Sequence, residues 1–140
     1  MNDKKLNNTF IDEIVNIHKK SILELWDRIG KSYSLNEVEN DIKEVLKFGE
    51  IWGYYRNNNL VGVVGFRTDE INFLLVDSTY HKKGIGKGLL QLVKDKLRGK
   101  LTRIFLKVLV ENPAVKFYEK FGYKIISQKN KYYTMEKFLD

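Results

Sequence analysis

The stretch from Ile71 to Val110 constrains this chain more tightly than any other. It begins with an apolar segment, Ile71 to Val76, that is continuous rather than alternating, as expected of a central strand covered on both faces. Next comes His81-Lys82-Lys83-Gly84-Ile85-Gly86-Lys87-Gly88, after which Ile85, Leu89, Leu92, Val93 and Leu97 recur at helical spacing until Gly99 and Lys100 close the helix. A further strand, Arg103 to Val110, follows. The order strand, glycine loop, helix, strand implies an α/β arrangement. Glycines at a helix start leave backbone amides unshielded, and unpaired N–H groups together with the helix dipole attract an anion there. Lys82, Lys83 and Lys87 add positive charge suited to a diphosphate. The same glycines would also serve a plain strand-to-helix turn, so the loop taken alone leaves both readings open.

Several chemistries are excluded or disfavoured. Gly88 is followed by Leu89, so no G-x-x-x-x-G-K-[ST] phosphate loop exists, no acidic residue closes a dinucleotide-binding arrangement, and no G-x-S-x-G elbow supports a serine hydrolase. The chain has no cysteine, which removes thiolate metal sites and a cysteine nucleophile, and with His18 and His81 as its two histidines no metal is expected. The net charge of +7 suits any anionic partner, but the lysines are scattered, which reads as a solvated surface and disfavours a dedicated nucleic-acid face without excluding it. No apolar run approaches the roughly 20 residues that span a bilayer. Because the polar start of the chain lacks the apolar core of a signal peptide, a cytoplasmic protein with no membrane partner is expected.

The 140 residues, 43% of them hydrophobic, suit one domain spanning 1–140. Upstream of the glycine loop, Phe10, Ile14, Ile17, Leu25 and Ile29 trace one amphipathic helix that Gly30 can end, and His18 within it is read as a surface or boundary residue without a role. Ser34 three residues before Glu37 forms a capping-box pattern for a second helix carrying Val38, Ile42, Val45 and Leu46. Ile51 to Tyr55 and Leu60 to Phe66 flank three asparagines and predict an antiparallel hairpin. Near the C-terminus, Asn112 can cap and Pro113 can open a short helix reaching Phe121, with Gly122 beyond it, before two last strands near Lys124 to Gln128 and Tyr132 to Lys137.

Two blocks in this order strongly resemble the GNAT superfamily of acyl-CoA-dependent N-acetyltransferases. The first is the loop His81-Lys82-Lys83-Gly84-Ile85-Gly86, against the family pattern [Q/R]-x-x-G-x-[G/A], with His81 where the family has Gln or Arg. The second is Asn112-Pro113-Ala114-Val115-Lys116-Phe117-Tyr118-Glu119-Lys120-Phe121-Gly122-Tyr123. The resemblance runs from the hairpin to the C-terminus and implies a mixed, mostly antiparallel sheet of six to seven strands flanked by about four helices. The family's first strand precedes its first helix, and here Met1 to Thr9 is short and polar, so that strand is expected to be frayed or absent.

The resemblance implies acetyl-CoA as acyl donor, a primary amine of a small molecule or protein as acceptor, and direct attack in a ternary complex. It implies that Leu74, Leu75 and Val76 pair their backbone with pantetheine, and that His81, Lys82, Lys83, Gly84, Ile85, Gly86 and Lys87 hold the pyrophosphate. Asn112 would bond the pantetheine arm, and Tyr118 would lie near the CoA sulfur and protonate the departing thiolate. Glu70 holds the position of the general base in histone-type members, with Glu111 or water as substitutes. Against these stand blander readings: Glu70 as a solvated carboxylate beside Asp69, and Tyr118 as one more apolar contact of its helix. Trp26, Trp52 and Tyr33 are candidates for an acceptor pocket, with core packing the alternative for the tryptophans. A non-catalytic acyl-CoA-binding regulatory module is the competing function, and either a monomer or a homodimer is compatible with the sequence.

Overall fold

The computed structural model describes residues 3–81 and 83–139. Seven strands form one sheet: β1 (Asp3–Lys5), β2 (Glu50–Arg56), β3 (Asn59–Arg67), β4 (Glu70–Val76), β5 (Arg103–Leu109), β6 (Lys124–Lys129) and β7 (Tyr132–Phe138). Their spatial order is β1-β2-β3-β4-β5-β7-β6. Four α-helices accompany them: α1 (Ile11–Arg28), α2 (Leu35–Phe48), α3 (Ile85–Leu97) and α4 (Ala114–Lys120). All strand pairs are antiparallel except β4 with β5.

Local sequence accounts for most of the boundaries. Asn57 and Asn58 take φ of 50° and 63°, the left-handed pair that lets a tight turn match the twist of β2 and β3. Ser34 Oγ accepts a bond from Glu37 N at 3.4 Å and starts α2, whose buried stripe is Val38, Ile42 and Val45. The expectation for the N-terminus is corrected, because Asp3–Lys5 pairs in register with Tyr54, Gly53 and Trp52. An edge strand needs only backbone partners on one side, and Leu6, buried beside it with its N–H bonded to Ile51 O at 2.8 Å, supplies the apolar anchor.

The sheet separates two cores. Adjacent residues on β3 point to opposite faces: Val63 packs with Ile14, Ile17 and Ile42 of α1 and α2, whereas Val64 packs with Leu89 and Val93 of α3. Each fully buried Val, Leu or Ile contributes about 1.5–3 kcal/mol, so both helical layers are anchored independently to the sheet. No helix among the described residues is long and apolar enough to cross a membrane.

Candidate active site

The site is a gap in the sheet. β4 and β5 pair only at Glu70↔Phe105 and Ile71↔Leu106, then diverge. A register shift at Gly65/Phe66 leaves Asn72 as an extra residue on β4 just where divergence begins, and such a bulge bends its strand. The joined end is fastened by Phe105 N to Asp69 O at 2.9 Å and by Arg103, which reaches Asp69 at 3.8 Å and Glu136 at 2.9 Å. Beyond Ile71 the facing edges, Asn72–Val76 and Lys107–Leu109, have no strand between them, and both line a cleft of about 1230 Å³.

At one end of this cleft stands the start of α3. Gly84 sits in the left-handed region with φ of 78°, a conformation that costs any L side chain about 1–2 kcal/mol, and an added Cβ would meet nothing within 4 Å. Space is therefore open in front of the first amides of α3, which have no intrahelical acceptor. Gly86 serves a different purpose, since a Cβ there would lie 3.0 Å from Phe117 Cζ; its absence lets α3 and α4 approach closely. Lys83 is exposed, and Lys87 lies in the first turn of α3 and lines the cleft. Lys82 lies outside the described residues. His81 turns back onto the strand: its Nε2 is 3.1 Å from Val76 O, so that nitrogen carries the proton and donates. Val76 O also accepts from Ser21 Oγ at 3.3 Å, which ties α1 to the open end of β4.

Tyr118, on α4, lines the same cleft and is 6% exposed. Its ring meets Phe117 and Tyr123 edge-on at 5.6 and 5.7 Å, and its hydroxyl has no protein hydrogen-bond partner among the described residues. Burial, and secondarily the neighbouring Tyr123, push its pKa upward, so the phenol keeps its proton throughout the neutral range. Asn112 Oδ1 accepts from Ala114 N at 2.9 Å and thereby fixes the start of α4. Leu74, Leu75, Val76, Gly84, Ile85, Gly86, Lys87, Asn112 and Tyr118 are thus brought to one cleft. Glu70 is not among its lining residues; it stands at the joined end, opposite Phe105. Glu111 lines a smaller neighbouring cavity of about 300 Å³.

The far wall of the cleft comes from α1 and α2, where the sequence reading named Trp26 and Tyr33 but gave His18 no part. His18 is half-buried and lines the cleft, with its ring 5.5 Å from Trp26 and 5.8 Å from Tyr33. Its Nδ1 is 3.3 Å from Tyr33 Oη. Burial and the charge of Lys31 lower its pKa to about 4, so it is a neutral imidazole at physiological pH. Its half-burial agrees with the boundary reading, and its place on the cleft wall is what the sequence did not reveal. His18 and Trp26 meet directly on α1, and Tyr33, fifteen residues on from His18, closes over both, a contact that no local periodicity signals. Trp52 belongs elsewhere: it packs with the α3 core, with Lys96 Nζ 3.8 Å above its ring. No group of three or more His, Asp or Glu side chains among the described residues is placed to hold a metal ion.

The cleft thus combines a split parallel pair, a glycine-led helix at one end and a buried phenol beside it. The model of the acetyltransferase (GNAT) family matches residues 11–123, and the chain belongs to that family. No curated protein matches the sequence. Among solved structures, a Pyrococcus horikoshii protein superposes with a TM-score of 0.83 at 24% identity over 98% of this chain and 95% of its own. The PaiA N-acetyltransferase of Thermoplasma acidophilum, solved in complex with coenzyme A, gives 0.77 at 22% identity over 97% of both chains. An acetyltransferase of Thermus thermophilus gives 0.81 at 16% identity over 99% of this chain and 98% of its own.

Proposed function

We propose that this chain transfers an acetyl group from acetyl-CoA to a primary amine of a small molecule or protein, by direct attack within a ternary complex. The observation that carries the reading is the divergence of β4 and β5 after two paired residues, which leaves two opposed strand edges with Tyr118 beside them. A pantetheine arm has amides that can pair with those edges. The open space before Gly84 and the amides of α3 suit a pyrophosphate, with Lys83 and Lys87 adding charge.

In the reaction the backbone N–H of Leu75 or Val76 polarises the thioester carbonyl, as an oxyanion donor does. Tyr118 supplies the proton taken up by the departing thiolate, a role open to it because burial keeps its hydroxyl protonated and that hydroxyl is not committed to another of the described residues. A lysine-like acceptor has a pKa of about 10.4 and must lose a proton before attack. Glu70 stands at the joined end of the strands, so any action of its carboxylate on the amine is routed through water.

The reading is tested by calorimetric titration of acetyl-CoA into the unmodified protein and into Gly84→Glu. Micromolar binding that disappears in the variant, with circular dichroism unchanged, supports it; an unmodified protein that does not bind overturns it. Tyr118→Phe separates enzyme from regulatory module, because a module that only binds acyl-CoA loses nothing in this variant.

A further inference from the structure

Lys31 holds an unusual place in the cleft. Its backbone N–H donates to Trp26 O at 2.7 Å, which fixes it at the start of the α1–α2 linker. Its Nζ lies 4.2 Å over the Trp26 ring and 5.7 Å from the centre of the Tyr132 ring, and it donates to Tyr132 Oη at 2.9 Å. No carboxylate among the described residues lies within ion-pair distance of it. Tyr132 opens β7 directly opposite Leu109 of β5, and Leu109 O accepts from Asn112 N, where the turn into the Tyr118 helix begins. The amine is therefore held at the open end of the split strands.

Lys31, Lys87, Lys107 and Lys120 line the cleft among the described residues. Lys87 lies at the α3 start, Lys107 on the β5 wall and Lys120 at the end of α4. Lys31 alone of the four comes from the layer of α1 and α2, and it carries a primary amine on a flexible stem into the acceptor half. We propose that Lys31 is itself an acetyl acceptor: the protein acetylates its own linker. This rests on the acetyl-transfer reading above. The ammonium gives one proton to water, the Nζ lone pair forms the C–N bond to the acetyl carbon, the C–S bond breaks, and the thiolate takes the second proton from the attacking nitrogen by way of Tyr118. The balance is R–NH₃⁺ plus acetyl-CoA giving R–NH–acetyl, CoA–SH and H⁺.

The product changes the cleft. A neutral amide has no cation to set over Trp26 and only one uncharged N–H to give Tyr132, so the linker's fastening to β7 is weakened. Between them lies the smaller cavity, lined by Ile29, Leu109, Gln128 and Lys131. Self-acetylation thereby loosens the wall between the cleft and that cavity.

The test incubates the purified protein with acetyl-CoA and follows acetylation by peptide mass spectrometry, with Lys87, Lys107, Lys120 and the exposed Lys43 as comparators. Lys31 is expected to react on the order of tenfold faster than any of them, because its amine is held in place. The rate per molecule should be independent of protein concentration, Gly84→Glu should remove the preference, and Lys31→Arg should remove this site alone. Lys31 reacting no faster than the comparators, equally in Gly84→Glu, or in proportion to protein concentration overturns the proposal. Calorimetry on the same samples separates the two claims: acetyl-CoA binding without Lys31 modification overturns this inference alone, whereas absence of binding overturns the acetyl-transfer reading on which it stands.

Discussion

The two halves of the cleft are built by different means. The half proposed to take the cofactor uses contiguous chain: β4, the glycine turn, α3, β5 and α4 follow one another from Glu70 to Lys120, and much of what they offer is backbone. The half proposed to take the acceptor is assembled from side chains of separate elements, His18 with Tyr33 and Lys31 with Tyr132 a hundred and one residues away. Backbone chemistry tied to a short motif can be met by many sequences with the same turn. A wall made of side chains from separate elements can be rebuilt without disturbing the sheet.

Gly84→Glu should separate the halves most widely. Open space around Gly84 means the substitution costs the fold only the strain of a left-handed φ, about 1–2 kcal/mol, while placing bulk and negative charge where a diphosphate would sit. Acetyl-CoA affinity should fall at least about a hundredfold, roughly 2.7 kcal/mol. If binding survives, the helix start is a turn and nothing more. Next is Tyr118→Phe, expected to keep acetyl-CoA affinity and lower kcat on the order of a hundredfold. Burial lifts the pKa of Tyr118, so the proton it donates is still present at a pH of about 9, and the pH profile should show no loss attributable to this group below the ordinary tyrosine pKa of about 10.

What was legible in the sequence follows the same division. The glycine loop, the asparagine turn, the Ser34 cap and the Asn112 block each act within a few residues, so spacing alone exposes them. The His18 cluster did not announce itself, because a histidine on an amphipathic helix looks the same whether or not an aromatic residue from the next linker folds over it. Strand β1 was hidden for a related reason: pairing with β2 asks nothing of the side chains of Asp3, Lys4 and Lys5. Glu70 had the right sequence position for a base, yet the bulge and the fastening by Arg103 and Asp69 leave it at the closed end.

The acceptor half can be probed by pH. The folded state holds His18 near pKa 4 against an unfolded value of about 6.5, so its contribution to stability is present above pH 6.5 and is lost as pH falls toward 4. Across that window the unfolded chain takes up a proton that the folded one refuses, a loss of up to about 3 kcal/mol. His18→Gln lacks this titration, so the stability of unmodified protein relative to the variant, from urea unfolding at a series of pH values, should decline between pH 6.5 and 4. A constant difference would mean that His18 takes its proton freely in the folded state. Asn112→Ala is a smaller change on the cofactor side: loss of the bond to Ala114 N should cost about 1 kcal/mol in the same assay.

Glu70→Gln is expected to do least, and it says most about where the two halves meet. It removes a carboxylate that is absent from the cleft lining and stands opposite Phe105, where β4 and β5 are still joined. A general base in contact with the amine would contribute roughly a hundredfold or more to kcat. A carboxylate at the closed end, acting at most through water, should contribute far less, so kcat for whatever amine the protein accepts should stay well within about tenfold of the unmodified value, with acetyl-CoA affinity unchanged. A loss of about a hundredfold in kcat alone would carry the acceptor site down to the joined strands. The bulge at Asn72 would then be the device that turns Glu70 toward the amine, and the α1–α2 wall would be an entrance to the reaction centre.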